Sequence, residues 1–442
     1  MKKVKAVDRH KSALVFLMLC VMILILSPWA KAPSPVSPIV PEPEAEALAT
    51  VQPVKMQELS LLTVEVGLEE AEFSVLAGQN EAFTLRHPDI TVELIRIDPN
   101  QAYRIFHQSS QLGDSPDIML LANEWVKEFA ASGYLLPADA AFVGKALAEQ
   151  FDALTSPLKW NGYLWGVPRS MDPFVLVWNT EWLHEWLGED AALPLTIEQW
   201  SALAIRSSEL QGTPSWLTLH PSDPLTLLAW LESVSDERSD GIWSGGNRPW
   251  EGTLFEQALS LLEQHRSGIT LAQTAEEASR LLQDRETLAA VIPYSIAAAM
   301  AAEPRLSSDA KLELDHHAWK LPHVWPRGSS FAISSHSEAG DAARTWIAEM
   351  TDISIQLQNM EELNKLPVYR SLYDSDRQLS NLLPGRDGKS FPNQASLIKE
   401  PKLPERLKEL GVIWNSFAMG DITLLDWNKR WTESIANLQL ND

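Results

Sequence analysis

The stretch GDSPDIMLLANEWVKEFAASG, residues 113–133, decides the fold class of this chain. It begins with turn-forming residues, continues into the apolar run IMLL, and then has Asn123, a residue type that caps helices. The helix predicted over residues 123–131 ends before Gly133, because glycine is common just after a helix. A buried strand followed at once by a helix is the building unit of an α/β sheet.

The same alternation continues on the N-terminal side of this stretch. The chain is predicted to pass through strand 59–67 (LSLLTVEVG), helix 69–87, strand 90–97 (ITVELIRI) and helix 100–112. In parallel α/β sheets, ligands bind beyond the carboxyl ends of the strands. The sequence therefore predicts a binding edge near residues 68–70 and 122–125.

Two local signals further along the chain are strong. Asn161-Gly162 lies between short apolar segments, which is typical of a β-hairpin turn. Thr196 and Gln199 have the spacing of a capping box that begins a helix. Further strands are predicted at 174–178, 289–294 and 330–333, and further helices at 196–210, 225–234, 253–264, 275–284 and 341–350.

The charge of the chain excludes one large class of partners. The 442 residues include 36 Lys and Arg and 59 Asp and Glu, which gives a formal charge of −23. Six of the basic residues and one acid lie in the first 32 residues, so the remaining 410 carry a charge of −28. Such an acidic body repels phosphate backbones, so we predict no nucleic-acid binding.

The sequence lacks the residues that common catalytic sites need. Cys20 is the only cysteine and lies in an apolar run, which excludes thiolate catalysis and iron–sulfur clusters. The loop GRDGKS, residues 385–390, lacks the first glycine of a phosphate-binding loop. Residues 315–323 are rich in histidine, but adjacent histidines on a strand point to opposite faces. No feature places two carboxylates at a glycosidase spacing, so we predict no enzyme activity, cofactor or metal.

The first 32 residues predict export of the rest of the chain. A basic segment, residues 2–11, precedes the uninterrupted apolar run of residues 13–26, as in a signal peptide or signal anchor. Ala30-Lys31-Ala32 offers a cleavage site, but Pro33 after it disfavours cleavage. Counted through Ala30 the run reaches 18 residues, enough to span a bilayer. Three fates stay open: an uncleaved membrane anchor, cleavage, and lipidation of Cys20, which lacks a lipobox pattern.

Residues 33–58 predict an extended linker. The segment PSPVSPIVPEP, residues 33–43, has five prolines in eleven positions, a density that favours polyproline II over packed structure. The linker either holds a globular body away from a membrane or is a remnant left after export.

Six segments of the globular body form a recognisable series: HPDITVEL, GDSPDIMLLANEWVKEFAASGYLLP, KWNGYLWGVPRSMDPFVLVWNTEWL, SSFAISSHSEAGDAARTWIAEMTD, ELNKLPVYRSLY and GDITLLDWNKRWTESIANL. In this order they resemble segments of the extracellular solute-binding proteins of family 1, which are similar to maltose-binding protein and serve ABC importers. The resemblance covers nearly all of residues 59–442. The chain departs from the family in lacking a lipobox and in DRETLAAVIPYS, which forms one wall of the expected cleft.

The resemblance implies a two-lobed, periplasmic-binding-protein-like (type II) α/β fold, with a mostly parallel sheet flanked by helices in each lobe. Lobe 1 would comprise residues 59–168 and 330–366, and lobe 2 residues 174–325 and 367–442. The chain would cross between the lobes near residues 168–174, 325–331 and 366–369. The ligand would bind between the lobes, which close on it by hinge motion.

Tryptophan is the residue type that we expect in such a cleft. The chain has 18 Trp against 12 Phe and 6 Tyr, and a flat indole stacks on a sugar ring while carboxylates and amides bind the hydroxyls. The expected ligand-binding residues are Glu69, Glu70, Asn123, Glu124, Trp125, Arg169, Asp172, Trp216, Trp243, Tyr294, Trp325, Arg327 and Ser329.

The sequence leaves a second explanation open for these candidates. Most tryptophans are core residues, and Glu124 at a helix start can simply favour the helix dipole. Arg169 and Asp172 can pair with each other as a hinge salt bridge. Trp243 lies in the glycine-rich segment GIWSGGNRPW, which fits a cleft edge or an ordinary surface loop.

The resemblance implies a monomeric protein that binds a sugar or oligosaccharide and delivers it to an ABC import permease. The N-terminal segment predicts a location outside the cytoplasm, either anchored at the membrane surface or secreted after cleavage. The alternative is a sensory or ligand-presenting ectodomain of the same fold, acting with a receptor kinase rather than a transporter. Genes for a permease or for a kinase beside this one would discriminate between them.

Overall fold

A computed structural model describes residues 59–139, 149–211, 214–234, 250–302, 312–315, 327–382 and 401–440. These residues belong to one compact unit, residues 57–442. The predicted export segment 1–32, the linker 33–58, Trp243, Trp325, the loop 385–390 and the histidines at 316, 317 and 323 lie outside the described residues.

The described chain alternates strands and helices over most of its length. The strands are β1 Ser60–Gly67, β2 Ile90–Ile97, β3 Ile118–Ala122, β4 Leu135–Leu136, β5 Lys159–Trp160, β6 Tyr163–Leu164, β7 Val167–Met171, β8 Phe174–Asn179, β9 Leu217–Leu219, β10 Ile269–Leu271, β11 Ala289–Pro293, β12 Leu312–Asp315 and β13 Gly328–Ser334. The helices are α1 Glu70–Arg86, α2 Ala102–Leu112, α3 Asn123–Ala131, α4 Asp152–Thr155, α5 Thr180–Leu187, α6 Ile197–Glu209, α7 Pro224–Val234, α8 Leu254–Gln264, α9 Ala275–Gln283, α10 Tyr294–Ala302, α11 Gly340–Met350, α12 Ile353–Leu363, α13 Arg370–Ser375, α14 Arg377–Leu382, α15 Leu403–Met419 and α16 Leu424–Leu440.

Two sheets form the centres of two lobes, which confirms the predicted fold class. Lobe 1 has the strand order β2-β1-β3-β13-β4, with β7 also paired to β13, and lobe 2 has the order β10-β9-β11-β8-β12. Strands β2, β1 and β3 are parallel, as are β10, β9 and β11. The pairs of β13 in lobe 1 and of β8 in lobe 2 are antiparallel. Both sheets are therefore mixed, not mostly parallel as predicted. All of their antiparallel pairs involve β13 or β8, the strands that lie next to the connections between the lobes.

The burial of strand β3 explains why residues 118–121 (IMLL) are all apolar. Ile118 and Leu120 point into one core of lobe 1, and Met119 and Leu121 point into the other. Side chains alternate between the two faces of a strand. A central strand that is covered on both faces therefore buries every side chain and is apolar throughout.

The two strong local signals are confirmed. Asn161 and Gly162 have φ of 49° and 83°, the left-handed values that a tight turn between β5 and β6 requires. The Thr196 side chain accepts from the backbone of Gln199, and the Gln199 side chain accepts from the backbone of Thr196, which completes a capping box at the start of α6.

The prediction that Asn123 caps its helix is wrong. Ala122 holds the cap position, and Asn123 is the first residue of α3. Asn123 is buried, and its Oδ1 accepts from Ser330 Oγ of β13 at 2.6 Å. The side chain therefore ties α3 to the neighbouring strand instead of satisfying a backbone N–H of the helix.

Three connections between the lobes lie side by side. The chain passes from β7 to β8, from β12 to β13, and from α12 to α13. Met171 and Leu366 exchange backbone hydrogen bonds of 2.9 Å, and the Asp172 N–H donates to Arg327 O at 2.5 Å. The backbones of the three connections are thus bonded to one another, as expected for the hinge of a two-lobed protein.

Candidate functional site

A cleft of about 560 Å³ lies between the lobes, at the carboxyl end of β3. Helix α3 of lobe 1 forms one wall, and the segment before α7 together with α15 forms the other. The lining residues are Glu124, Trp125, Ser222, Asp223, Pro224, Leu225, Pro404, Leu407, Lys408, Gly411, Val412, Asn415 and Ser416. Helices α3 and α15 also touch directly, so the lobes meet across the cleft as well as at the hinge.

Glu124 and Trp125, which directly follow β3, form the lobe 1 wall of this cavity, and their contact with a ligand stays a prediction. Burial raises the pKa of Glu124, while a hydrogen bond to its own backbone N–H and the nearby Arg327 act in the opposite direction. Trp125 is half-buried, and its ring meets Tyr103 edge to face at 5.3 Å between centroids. Lobe 1 therefore presents to the cavity the Glu124 carboxyl group and, next to it, the Trp125 ring, which is packed against Tyr103.

A short rigid loop forms part of the lobe 2 wall. His220 Nδ1 accepts from the backbone N–H groups of Ser222 and Asp223, and its Nε2 donates to Gln273 O at 2.8 Å. The ring is therefore neutral, with its proton on Nε2. Asp223 Oδ1 accepts from the Leu225 N–H at the start of α7, which fixes the carboxylate at the cleft edge.

Helix α15 packs closely against this loop. Trp414 Nε1 donates to His220 O at 2.8 Å, and Asn415 Nδ2 donates to Ser222 Oγ at 3.1 Å. Gly411 permits this approach, because a Cβ at that position would lie 3.2 Å from Ser222 O. The lobe 2 wall thus brings amide, hydroxyl, carboxylate and ammonium groups to the cavity.

Arg327 lies at the second connection between the lobes, close to the cleft, but it is not among the residues that line the cavity. Its guanidinium lies over the Phe174 ring, 4.3 Å from the centroid, and its Nη2 is 4.0 Å from Asp223 Oδ2. It also opposes the raised pKa of Glu124. This predicted site residue therefore contacts lobe 2 and also acts electrostatically on the Glu124 carboxyl group of lobe 1.

Arg169 and Asp172 lie in the hinge and not on the cavity wall. Arg169 is 0% exposed and Asp172 is 6% exposed. Arg169 pairs with Glu72 of α1, and Asp172 pairs with Lys365 Nζ at 2.5 Å. The structure therefore gives each residue a hinge partner, but not the mutual salt bridge that the sequence leaves open.

Trp216, which was predicted to face the cleft, lies in the hydrophobic core of lobe 2. It is 0% exposed, its ring contacts Trp200 and Trp230 at 5.8 and 5.9 Å, and its Nε1 donates to His265 O at 3.3 Å. It directly precedes the buried strand β9, and its indole fills the core of lobe 2. No surface of this side chain is left for a ligand in this arrangement.

The remaining described candidates lie around the hinge and the edge of lobe 1. Tyr294 is half-buried and begins α10, with its N–H bonded to Pro173 O at 2.8 Å. Ser329 pairs with Ala122 across the sheet. Glu69 and Glu70 are exposed, and Glu70 lies 3.2 Å from Arg96. None of these four lines the described cavity.

Sequence reasoning missed the lobe 2 wall. Asp223, Lys408 and Asn415 come from two segments nearly two hundred residues apart, and only folding brings them together. The signals were faint: Pro221-Ser222-Asp223-Pro224 is a helix-start pattern, and Lys408 and Asn415 are polar positions of an amphipathic helix.

The described ranges show neither a metal-binding cluster nor a membrane-spanning helix. They contain no group of three or more His, Cys, Asp or Glu side chains able to hold a metal ion. Among the helices of the same ranges, none has both the length and the apolar character needed to cross a bilayer.

Two α/β lobes with a cleft between them, lined by polar groups and by the Trp125 ring, define a two-lobed ligand-binding protein. The family model of the bacterial extracellular solute-binding proteins matches residues 69–356. The chain belongs to this family, which confirms the resemblance noted in its sequence.

Solved structures share this fold at low sequence identity. The GacH receptor of Streptomyces glaucescens, solved unliganded and with acarbose, has a TM-score of 0.66 at 16% identity, covering 86% of this chain and 99% of that one. Maltose-bound T. maritima MalE3 has a TM-score of 0.65 at 19% identity, covering 86% and 100%. The sugar-binding protein MalE of Xanthomonas citri has a TM-score of 0.64 at 18% identity, covering 86% and 98%. No curated protein sequence matches the chain.

Proposed function

We propose that this protein captures a sugar or oligosaccharide in the cleft between its lobes and delivers it to an ABC import permease. The observation that carries the proposal is the cavity itself, in which Trp125 stands beside Glu124 on one lobe while Asp223 and Asn415 face them from the other. An aromatic face with converging carboxylate and amide groups suits a ring that carries hydroxyls.

The related structures support a sugar rather than another solute. Those that match in fold were solved with acarbose, maltose and D-mannitol, among other ligands. The protein acts by binding and release, without covalent chemistry. It works as a monomer outside the cytoplasm, held at the membrane by its apolar N-terminal segment.

A thermal-shift screen of the full chain in detergent against mono- and oligosaccharides tests the proposal. A ligand at about 100 times its dissociation constant adds about 2.7 kcal/mol of stability, which a melting curve resolves. Trp125→Ala should abolish the shift, whereas Trp165→Ala, which changes an aromatic residue of the β5–β6 region outside the cavity lining, should leave it. A protein that melts unchanged with every sugar would contradict the proposal.

Delivery to a permease needs its own test. Deleting the gene in its source organism should abolish uptake of the radiolabelled sugar that gives the shift, and the intact gene should restore it. Unchanged uptake in the deletion strain would contradict the transport role and leave the binding result standing.

A further inference from the structure

Four charged side chains connect the two lobes through the hinge. Glu72 of α1 in lobe 1 pairs with Arg169 of β7, and Lys365 of the third connection lies next to both Glu72 and Asp172. The exposed fraction of the side chain is 17% for Glu72, 1% for Arg169, 18% for Lys365 and 9% for Asp172. Water therefore screens these charges less than it screens surface pairs.

Asp172 belongs to lobe 2 by its contacts. Its Oδ1 accepts from the Ser295 N–H at 2.9 Å, and its Oδ2 accepts from Ser295 Oγ at 2.8 Å, both in the first turn of α10. A carboxylate at a helix start also interacts favourably with the helix dipole. A rotation of lobe 2 therefore carries Asp172 with it.

Glu72 and the backbone around Arg169 belong to lobe 1. Burial opposes the charge on Glu72, but Arg169 and Lys365 outweigh this effect and lower its pKa. Gln356 of α12 donates to Arg169 O at 2.6 Å and accepts from the Val368 N–H at 3.1 Å. These bonds fix the first and third connections against lobe 1.

Lys365 stands between a carboxylate of each lobe. Its Nζ is 2.5 Å from Asp172 Oδ2 and 3.9 Å from Glu72 Oε2. A lysine ammonium is a compact charge with three donors on a flexible stem, so it can exchange one carboxylate for another with a small movement. In the present arrangement the shorter contact goes to Asp172, and α3 touches α15 across the cleft.

We propose that Lys365 is a positioning residue that sets how far the lobes open. Paired with Asp172, it holds the arrangement in which the lobes meet across the cleft. When lobe 2 rotates away with Asp172, Lys365 transfers to Glu72. The consequence for ligand affinity rests on the proposed function, because a ligand held between the lobes gains from whatever favours their contact.

A distance measurement across the cleft tests the proposal without any ligand. In the full chain in detergent, Cys20→Ser removes the only native cysteine, and Glu81→Cys on α1 and Glu276→Cys on α9 place spin labels at exposed sites of the two lobes. Lys365→Met should move the distance distribution toward greater separation. Lys365→Arg, which keeps the charge, should restore it, and Lys159→Met, at an exposed lysine of β5, should leave it unchanged.

A Lys365→Met distribution that superimposes on that of the parent protein would overturn the proposal. Should that variant fail to fold, Asp172→Asn removes the same attraction from the other side and must produce the same shift. For the sugar found in the thermal screen, Lys365→Met should weaken affinity by roughly five- to a hundredfold, and Lys365→Arg should recover most of it. If no sugar binds the parent protein, the proposed function fails, while the distance measurement still decides the role of Lys365.

Discussion

At the scale of single residues, the environment of Glu124 predicts a pH dependence of binding. Burial raises the pKa of this carboxyl group, so it takes up a proton at a higher pH than an ordinary glutamate. Because the ionised form accepts hydrogen bonds from sugar hydroxyls, affinity should fall as the pH decreases through the raised pKa. Glu124→Gln should bind roughly tenfold to a hundredfold more weakly and without this dependence, as calorimetry at a series of pH values would show.

The pH dependence that Glu124 gives to folding stability is opposite to the one that it gives to sugar affinity. The folded-state pKa of this carboxyl group lies above the unfolded value, so the folded protein gains stability as the pH falls through that pKa. At neutral pH, Glu124→Gln should therefore melt at or above the temperature of the parent protein. A clear loss of stability in this variant would show that the ionised Glu124 is held by favourable contacts.

Trp216 provides the contrasting residue-scale prediction. Its fully buried ring packs among other tryptophans of lobe 2, so Trp216→Ala should lower the unfolding free energy by about 3–5 kcal/mol. Denaturant titration measures this loss, and the folded fraction should keep its affinity. A Trp216→Ala protein that is folded and stable but no longer binds sugar would contradict the core assignment and indicate that Trp216 contacts the ligand.

At the scale of elements, two glycines in helices form a matched pair. Gly78 lies exposed in α1, where a Cβ would have no neighbour within 4 Å, whereas a Cβ on Gly411 of α15 would meet Ser222 O at 3.2 Å. Gly78→Ala should stabilise the protein by up to about 1 kcal/mol, because alanine is the better helix former. Gly411→Ala should lack this gain and weaken sugar binding, since α15 must move away from the loop that carries Asp223. Equal gains from both changes, with binding intact, would show that the contact between helix and loop does not shape the cleft.

At the scale of the whole molecule, the charge of Arg327 acts on both lobes near the cleft. The Arg327 guanidinium stacks on Phe174 of lobe 2, lies 4.0 Å from Asp223, and lowers the raised pKa of Glu124 in lobe 1. Arg327→Met keeps much of the apolar stem but removes the charge, so we expect weaker sugar binding and a larger radius of gyration in small-angle scattering. Arg280→Met, on α9 away from the cavity lining, is the control. An Arg327→Met protein with parental affinity and radius would rule out this role.

The sequence by itself determined the fold class and the place of Glu124 and Trp125 at the carboxyl end of β3. The strand β3 and the helix that follows it are local patterns, so the position of Glu124 and Trp125 at a strand end could be predicted from neighbouring residues alone. The lobe 2 wall, the burial of Trp216 and the partners of Arg169 and Asp172 were decided only by the tertiary structure. The physical reason is that exposure and pairing depend on segments distant in sequence: Asp223 and α15 meet Glu124 only after both lobes have folded, and Asp172 meets Lys365 only where two connections lie side by side.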